Sequence, residues 1–186
     1  NARGRNFTLS NTGEGTGITL RIQDLPIQNH VDSIEVTTNG HFKAYGWAFY
    51  EGANLNDKDS VEKEIIFRNT TTKQDVIRET VQNVYSTDLS DWSQAKYDYA
   101  RYNGIIDIRN IPSGEYQLLI NVRTGDLNKL DALKSNYALL NISTVFEGRR
   151  YTLSNTGEGT GLYLLVQDLP IQNHVDSMSI DSSGNF

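Results

Sequence analysis

The chain has 186 residues, of which 37% are hydrophobic and 10% aromatic, enough to build a core in one domain or two small ones. Its formal net charge of −6 argues against a nucleic-acid partner, because phosphate binding needs clustered Lys and Arg. The absence of cysteine excludes disulfides, thiolate zinc sites and cysteine nucleophiles. No apolar run approaches the roughly 20 residues that cross a bilayer, so no membrane insertion is expected within these residues.

A long internal duplication organises the sequence. Residues 4–42 return at 148–186, a shift of 144 positions, and 26 of the 39 aligned residues are identical. A fixed long period is typical of tandem arrays, in which each unit is a folding module that contacts its neighbours. We therefore predict an array whose unit runs from Gly4 to Glu147.

The duplicated segment predicts a β-hairpin. Phe7 and Leu9 alternate with polar residues, a glycine-rich turn follows at 13–17, and Ile18, Leu20 and Ile22 alternate again. The second copy supports this period of two, because positions on one face change only to other apolar residues whereas positions on the other face change freely. The apolar exchanges are Phe7 to Tyr151, Ile18 to Leu162 and Ile22 to Val166, and the free ones are Thr19 to Tyr163 and Arg21 to Leu165.

Several short strands are predicted after His30. They cover residues 33–37, 42–50, 63–68, 75–84, 104–108 and 115–122. Asn39-Gly40 predicts a hairpin turn after the first of them, and Ile111-Pro112-Ser113-Gly114 predicts a tight corner before the last. The polar stretch 86–94 is expected to form a long loop with one helical turn.

Residues 127–142 fit two patterns. Leu127, Leu130 and Leu133 have helical spacing, whereas residues 137–142 also fit a strand that leads into 149–154. We predict a short helix followed by a strand.

Short strands with turns every 8–12 residues favour an all-β sandwich over an α/β sheet. The predicted organisation is a β-hairpin connector at 1–29, a β-sandwich repeat domain at 30–147, and at 148–186 a second connector with the first strand of the next, truncated repeat.

Three groups of motifs, within roughly residues 31–122, carry a family resemblance. They are Val31-Asp32-Ser33-Ile34 with Gly46-Trp47-Ala48-Phe49-Tyr50-Glu51-Gly52, the run at 97–108, and Ile111-Pro112-Ser113-Gly114-Glu115-Tyr116. Together they resemble immunoglobulin-like antiparallel β-sandwich modules, often repeated, of Gram-positive bacterial surface proteins, which also occur beside polysaccharide or teichoic-acid enzymes. The resemblance implies a non-catalytic module in a secreted or wall-associated chain, although the cysteines of antibody domains are absent.

No motif indicates an enzyme. The glycine-rich turn at 13–17 lacks the Lys-Ser/Thr of a phosphate-binding loop, and no HExxH or GxSxG motif is present. His30 lies two residues from Asp32, as its duplicate His174 lies from Asp176, and we interpret His30 as a polar residue at a domain junction. We therefore expect a non-catalytic protein.

One loop weakly suggests Ca²⁺, and no other cofactor is indicated. Its oxygen-bearing side chains have a spacing that suits calcium, but Lys58 stands where an EF-hand loop would have a ligand. A solvated acidic loop is the favoured alternative. The candidate ligands are Asn54, Asn56, Asp57 and Asp59, with Glu62 nearby.

A set of aromatic and charged residues is the candidate ligand-binding site. A flat aromatic face with a few placed polar groups is the usual way to hold a sugar ring. Alternation places Tyr97 and Tyr99 on one face, so the favoured alternative is that these rings pack in the core. The candidate residues are Trp92, Tyr97, Tyr99, Tyr102, Asp98 and Arg101.

Two functions remain open. The first is a non-catalytic repeat module of a bacterial cell-surface protein that acts as an adhesin, stalk or interaction domain. The alternative is a glycan- or cell-wall-binding module accessory to a carbohydrate-active or teichoic-acid enzyme. The expected partners are neighbouring repeats of the same chain and a cell-wall glycan, a host glycan or a host surface protein, and the expected location is the cell surface or the exterior.

Overall fold

The computed structural model describes residues 5–11, 13, 17–90, 96–137 and 140–171. Across these ranges the chain is all-β, as the alternation predicts, with a three-residue 3-10 helix η1 (Lys58–Ser60) and 3-10 conformation at Ser90. The described residues contain no helix of a length and apolarity that could span a membrane. The strands are β1 (Arg5–Asn11), β2 (Ile18–Asp24), β3 (Ile27–Val36), β4 (His41–Tyr50), β5 (Glu62–Asn69), β6 (Asp75–Thr80), β7 (Gln82–Val84), β8 (Arg101–Asp107), β9 (Gly114–Thr124), β10 (Leu127–Ala132), β11 (Asn141–Phe146), β12 (Arg149–Asn155) and β13 (Leu162–Asp168).

Two antiparallel sheets form the body of the protein. The smaller has the strand order β3-β4-β8-β7, and the larger has the order β11-β12-β13-β9-β5-β6. Strand β9 is central to the larger sheet, because one edge pairs with β5 while the other pairs first with β13 and then with β10. Strands β1 and β2 form a separate two-stranded sheet.

The core lies between the two sheets. Phe42 of β4 meets Phe67 of β5 edge to face, with ring centroids 5.1 Å apart. The Tyr50 hydroxyl donates to the carbonyl of Val122, 3.2 Å away in the opposite sheet. Full burial of an apolar side chain of this size stabilises the fold by roughly 1.5–3 kcal/mol, so these positions hold the two layers together.

A buried lysine also joins the two layers. Lys63 of β5 is completely buried, and its Nζ donates to the Asn83 Oδ1 and to the Tyr99 carbonyl, each at 2.7 Å. The Asn83 amide in turn donates to the carbonyls of Lys58 and Val61. Burial lowers the pKa of Lys63 to about 7 because a charged amine is poorly solvated in the core.

The predicted strand at 75–84 is divided between the two sheets. Strand β6 pairs with β5, and β7 pairs with β8 of the smaller sheet. The buried Val81 lies between them, where its amide donates to the Lys63 carbonyl. Strand-favouring Thr and Val residues occur on both sides of the crossing, so the sequence does not show that the chain changes sheets.

The predicted helix after Leu127 is wrong. Residues Leu127–Ala132 form β10, which pairs with β9 through the two-residue turn Gly125-Asp126. Gly125 has a φ of +57°, a conformation that glycine adopts without steric cost. A Gly-Asp pair is typical of a β-hairpin turn. This turn outweighs the helical spacing of the three leucines, because β10 pairs with β9 and buries only part of one face.

The two copies of the duplicated hairpin have different surroundings. The second copy, β12–β13, lies inside the larger sheet between β11 and β9, so this hairpin completes the sandwich rather than leading away from it. The first copy, β1–β2, has no strand neighbour outside its own hairpin among the described residues. From the sequence, both copies are predicted to be connectors. Alternation shows that a hairpin has an apolar face, but it does not show which sheet covers that face.

Lys63 should make stability depend on pH. The unfolded chain holds the Lys63 proton up to about pH 10.5, whereas the folded chain releases it near pH 7. Between these values the unfolded state binds more protons, so stability should rise with pH by up to about 1.4 kcal/mol per unit. Burial raises the pKa of Tyr50 to about 12, which reverses the trend above about pH 10, so urea unfolding should be measured from pH 7 to about 9.5.

The Lys63→Met variant should lack this rise, because it has no buried amine to release a proton. Lys43→Met is the matched control, since Lys43 lies at the surface beside Glu35, and it should keep the rise. Equal slopes in the wild-type protein and Lys63→Met would contradict this assignment.

Candidate binding surface

A bulge in β3 shapes the outer face of the smaller sheet. The register with β4 shifts between Val31 and Ser33, and Asp32 is the extra residue. Before the bulge the buried positions are odd-numbered, as at Val31, and after it they are even-numbered, as at Ile34. The bulge therefore keeps the apolar side chains on the inner face while it places Asp32 at the surface beside His30.

An aromatic row crosses this outer face, and we define it as His30, Trp47, Phe49 and Tyr97. The ring centroids of His30 and Trp47 are 5.8 Å apart, those of Trp47 and Phe49 are 5.3 Å apart, and those of Phe49 and Tyr97 are 4.1 Å apart. Phe49 and Tyr97 are buried, whereas Trp47 is only partly buried. The row is thus anchored at Tyr97 and offers an aromatic surface at Trp47.

A charged cluster lies beside the row, and we define the Arg101 cluster as Asp32, Tyr45, Asp88 and Arg101. The Arg101 Nη1 donates to the Asp32 Oδ2 at 2.5 Å, and the Arg101 Nε donates to the Asp88 Oδ2 at 2.9 Å. The guanidinium carbon lies 5.4 Å from the centroid of the Tyr45 ring, which is a cation–π distance. His30 extends the cluster, since its Nε2 lies 3.4 Å from the Asp32 Oδ1.

Arg101 and Asp88 stabilise each other's charged forms. Hydrogen bonds from Arg101, and then from Ser86, lower the pKa of Asp88 to about 2. Hydrogen bonds to Asp88 and Asp32 raise the pKa of Arg101 above its usual value, against the opposing effect of burial. Two carboxylates and one guanidinium leave the cluster with a net negative charge, so it disfavours anionic ligands.

Two shallow grooves lie nearby, one lined in part by Asp32 and the other in part by the Tyr45 ring. One is lined by His30, Val31, Asp32, Asn136 and Tyr137, and the other by Ser33, Ile34, Glu35, Lys43, Ala44, Tyr45 and Asn103. Both grooves combine aromatic surface with a few polar groups, which is the usual composition of a small-molecule site.

Two residues of the predicted site lie in the core. Tyr97 is buried against Phe49, and its hydroxyl accepts a hydrogen bond from the Gly52 amide at 2.8 Å. Tyr102 is fully buried, and burial raises the pKa of its hydroxyl, which has no hydrogen-bond partner among the described residues. Neither ring presents a face to solvent.

The other predicted residues lie around the loop that precedes β8. Tyr99 is half-buried and meets the exposed Tyr85 edge to face at 5.6 Å. The Asp98 Oδ1 accepts from the Ser90 hydroxyl at 2.8 Å, which ties the loop together. Arg101 belongs to the cluster described above, and Trp92 lies outside the described residues.

The suggested calcium loop has another local role. The Asp57 carboxylate accepts from the Asp59 amide at 3.1 Å and so caps η1. The described part of the chain holds no group of three His, Cys, Asp or Glu side chains that could bind a metal ion. The side chains of Asn54, Asn56, Asp57 and Asp59 are exposed to solvent.

Sequence reasoning missed how four residues contribute to this surface. Alternation along residues 42–50 places Tyr45 and Trp47 on one face, but the pattern does not reveal that this face of β4 points outward. Tyr85 carries no motif. Asp32 lies 69 positions from Arg101, and a bulge leaves no mark in the sequence that would bring the two together.

Comparison of the chain with family models, curated proteins and solved structures finds no match. Function is therefore inferred from the residues of this chain and their geometry.

Proposed function

We propose that the chain is part of an array of non-catalytic, immunoglobulin-like repeat modules on a bacterial cell surface, where it serves as a stalk, adhesin or interaction domain. The observation that carries the proposal is the recurrence, 144 positions later, of a hairpin whose second copy is built into a sandwich. Repetition of one junction sequence gives successive units the same relative placement, which an extended array requires.

The corner before β9 supports an immunoglobulin-like module. Strands β8 and β9 are consecutive but belong to different sheets, and the chain turns between them at Ile111-Pro112-Ser113-Gly114. The Tyr116 hydroxyl donates to the Pro112 carbonyl at 2.8 Å, four residues upstream. This contact is similar to the tyrosine corner of immunoglobulin-like domains.

The surface location is supported by the motif resemblance around Trp47, Tyr102 and Tyr116. An acidic chain without cysteine is compatible with bacterial export. The proposed partners are neighbouring repeats of the same chain and a glycan or protein of the cell wall or of a host.

Small-angle scattering of chains with one, two and three added copies of residues 4–147 tests the array. The maximum dimension should grow by about the same length with every copy, roughly 35–45 Å for a domain of this size. A collapsed or branched arrangement, in which the dimension grows with the cube root of mass, would contradict the proposal.

A second function, recognition of a neutral glycan, is favoured by the aromatic row beside the Arg101 cluster. Trp47 offers a partly exposed ring, and Asp32 and Arg101 offer fixed hydrogen-bonding groups next to it. The net negative charge of the cluster favours uncharged sugars over phosphate-bearing polymers. Weak single sites would be strengthened by repetition along the array.

Trp47→Ala should weaken glycan binding at least about fivefold, since one aromatic contact contributes about 1 kcal/mol. The probes are neutral and acidic oligosaccharides from cell walls and host surfaces, on an array and then by NMR titration. Ile105→Ala is the control, because Ile105 is an exposed apolar residue of β8 that belongs to neither the aromatic row nor the Arg101 cluster. Preference for acidic sugars, or equal losses in both variants, would contradict the assignment.

A further inference from the structure

The two hairpins have the same internal geometry. In the first copy the register runs from Arg5 opposite Asp24 to Asn11 opposite Ile18. In the second copy each pair is found 144 positions later, from Arg149 opposite Asp168 to Asn155 opposite Leu162. The sequence thus forms the same hairpin whether or not a larger sheet surrounds it.

The apolar faces of the two hairpins differ in exposure. In the first copy five large apolar side chains are open to solvent, and a two-stranded hairpin with such a face is marginally stable by itself. Their exposed fractions are 46% for Phe7, 71% for Leu9, 76% for Ile18, 54% for Leu20 and 54% for Ile22. The counterparts Tyr151, Leu153, Leu162 and Leu164 are 0% exposed, and Val166 is 1% exposed.

The second copy shows what surrounds this hairpin. Strand β12 pairs with β11 along its length, and β13 pairs with residues 114–117 of β9, so both edges of the hairpin are paired within the larger sheet. Its apolar face lies in the core, where β12 contacts β3 of the smaller sheet. Arg149 fixes its base by donating to the Ser113 hydroxyl at 3.1 Å and the Arg109 carbonyl at 3.2 Å. Every one of these groups belongs to the same 144-residue unit that precedes the hairpin.

Among the described residues, contacts join the first copy to the sandwich that follows it near one corner. The Arg5 Nη1 donates to the Asp126 Oδ2 at 2.6 Å, and Phe7 lines a groove with Ala53 and Leu127. Phe7 is nearly half exposed despite these contacts. The other four apolar side chains are each more than half exposed.

The substitutions between the copies follow the buried and open faces of the second hairpin. The inward positions remain apolar in the first copy even though they are exposed there. The outward positions differ in character, with Thr19 and Arg21 where the second copy has Tyr163 and Leu165. This difference is expected if the inward face is buried in both copies.

The chain can also enter both hairpins in the same way. Glu147 and Gly148 form the two-residue turn between β11 and β12, with φ values of +46° and +72°. Positive φ at both positions is the requirement of a type I′ turn. Gly4 stands where Gly148 stands in the second copy, while Arg3 stands where Glu147 stands, so the glycine of this turn is kept and its first residue is replaced.

We propose that the β1–β2 hairpin is the closing element of a preceding copy of this sandwich in the same chain. Its apolar face covers the core of that copy, and its two edges pair with the equivalents of β11 and β9. Each folding unit then runs from about Ile27 to Asp168 and includes the hairpin that follows residue 147. The proposal deepens the array function and rests on it, since it needs a further unit ahead of Gly4.

The test joins a copy of residues 4–147 ahead of Gly4 in the full chain. In the unextended chain, Leu9→Asp should leave the melting temperature unchanged, and Leu153→Asp should lower it by roughly 6–12 °C. In the extended chain, Leu9→Asp should lower the melting temperature of the added unit by a similar amount. Thr19→Asp, on the outward face, is the matched control and should be tolerated in both chains.

If Leu153→Asp prevents folding, Leu153→Ala and Leu9→Ala provide the same comparison with smaller shifts. Tolerance of Leu9→Asp in the extended chain would overturn the proposal. So would a concentration-dependent dimer of the unextended chain that Leu9→Asp abolishes, since the cover would then come from another molecule. The scattering series tests the extended array, and the melting comparison tests the junction between two units. An irregular scattering series with the predicted loss of melting temperature for Leu9→Asp would contradict the array and support the junction.

Discussion

The fold depends on one constraint: an amphipathic hairpin needs a sheet to cover its apolar face. The second copy satisfies it by inserting between β11 and β9, where Leu153 and Leu164 become fully buried. The first copy, with nearly the same sequence, leaves Leu9 and Leu20 exposed. The hairpin sequence therefore specifies the local pairing, and the neighbouring sheet supplies the hydrophobic stabilisation.

Contacts across the core link this constraint to the outer surface. Phe42 against Phe67, the Tyr50 hydroxyl and the amine of Lys63 each join the smaller sheet to the larger one. With its inner face held in this way, the smaller sheet presents the aromatic row and the Arg101 cluster in a fixed arrangement. The same strands thus serve the core on one side and a candidate glycan surface on the other.

Alternation predicted most strands, because a half-buried strand repeats every two residues and that pattern is local. It failed at Leu127–Ala132, where the leucine spacing fits a helix and pairing with β9 decides the structure. The candidate surface was less predictable. The motif region contains Arg101, but the contact of Arg101 with Asp32 depends on a bulge, and the burial of Tyr97 and Tyr102 depends on packing between distant segments.

Hydrogen exchange of the backbone amides in this chain compares the two hairpins directly under identical conditions. The account predicts that amides of 149–168 exchange only when the sandwich unfolds, with protection factors of at least about 10³, whereas amides of 5–24 are close to unprotected. Equal protection of the two segments would contradict it, because the same sequence would then be equally stable with and without the covering sheet.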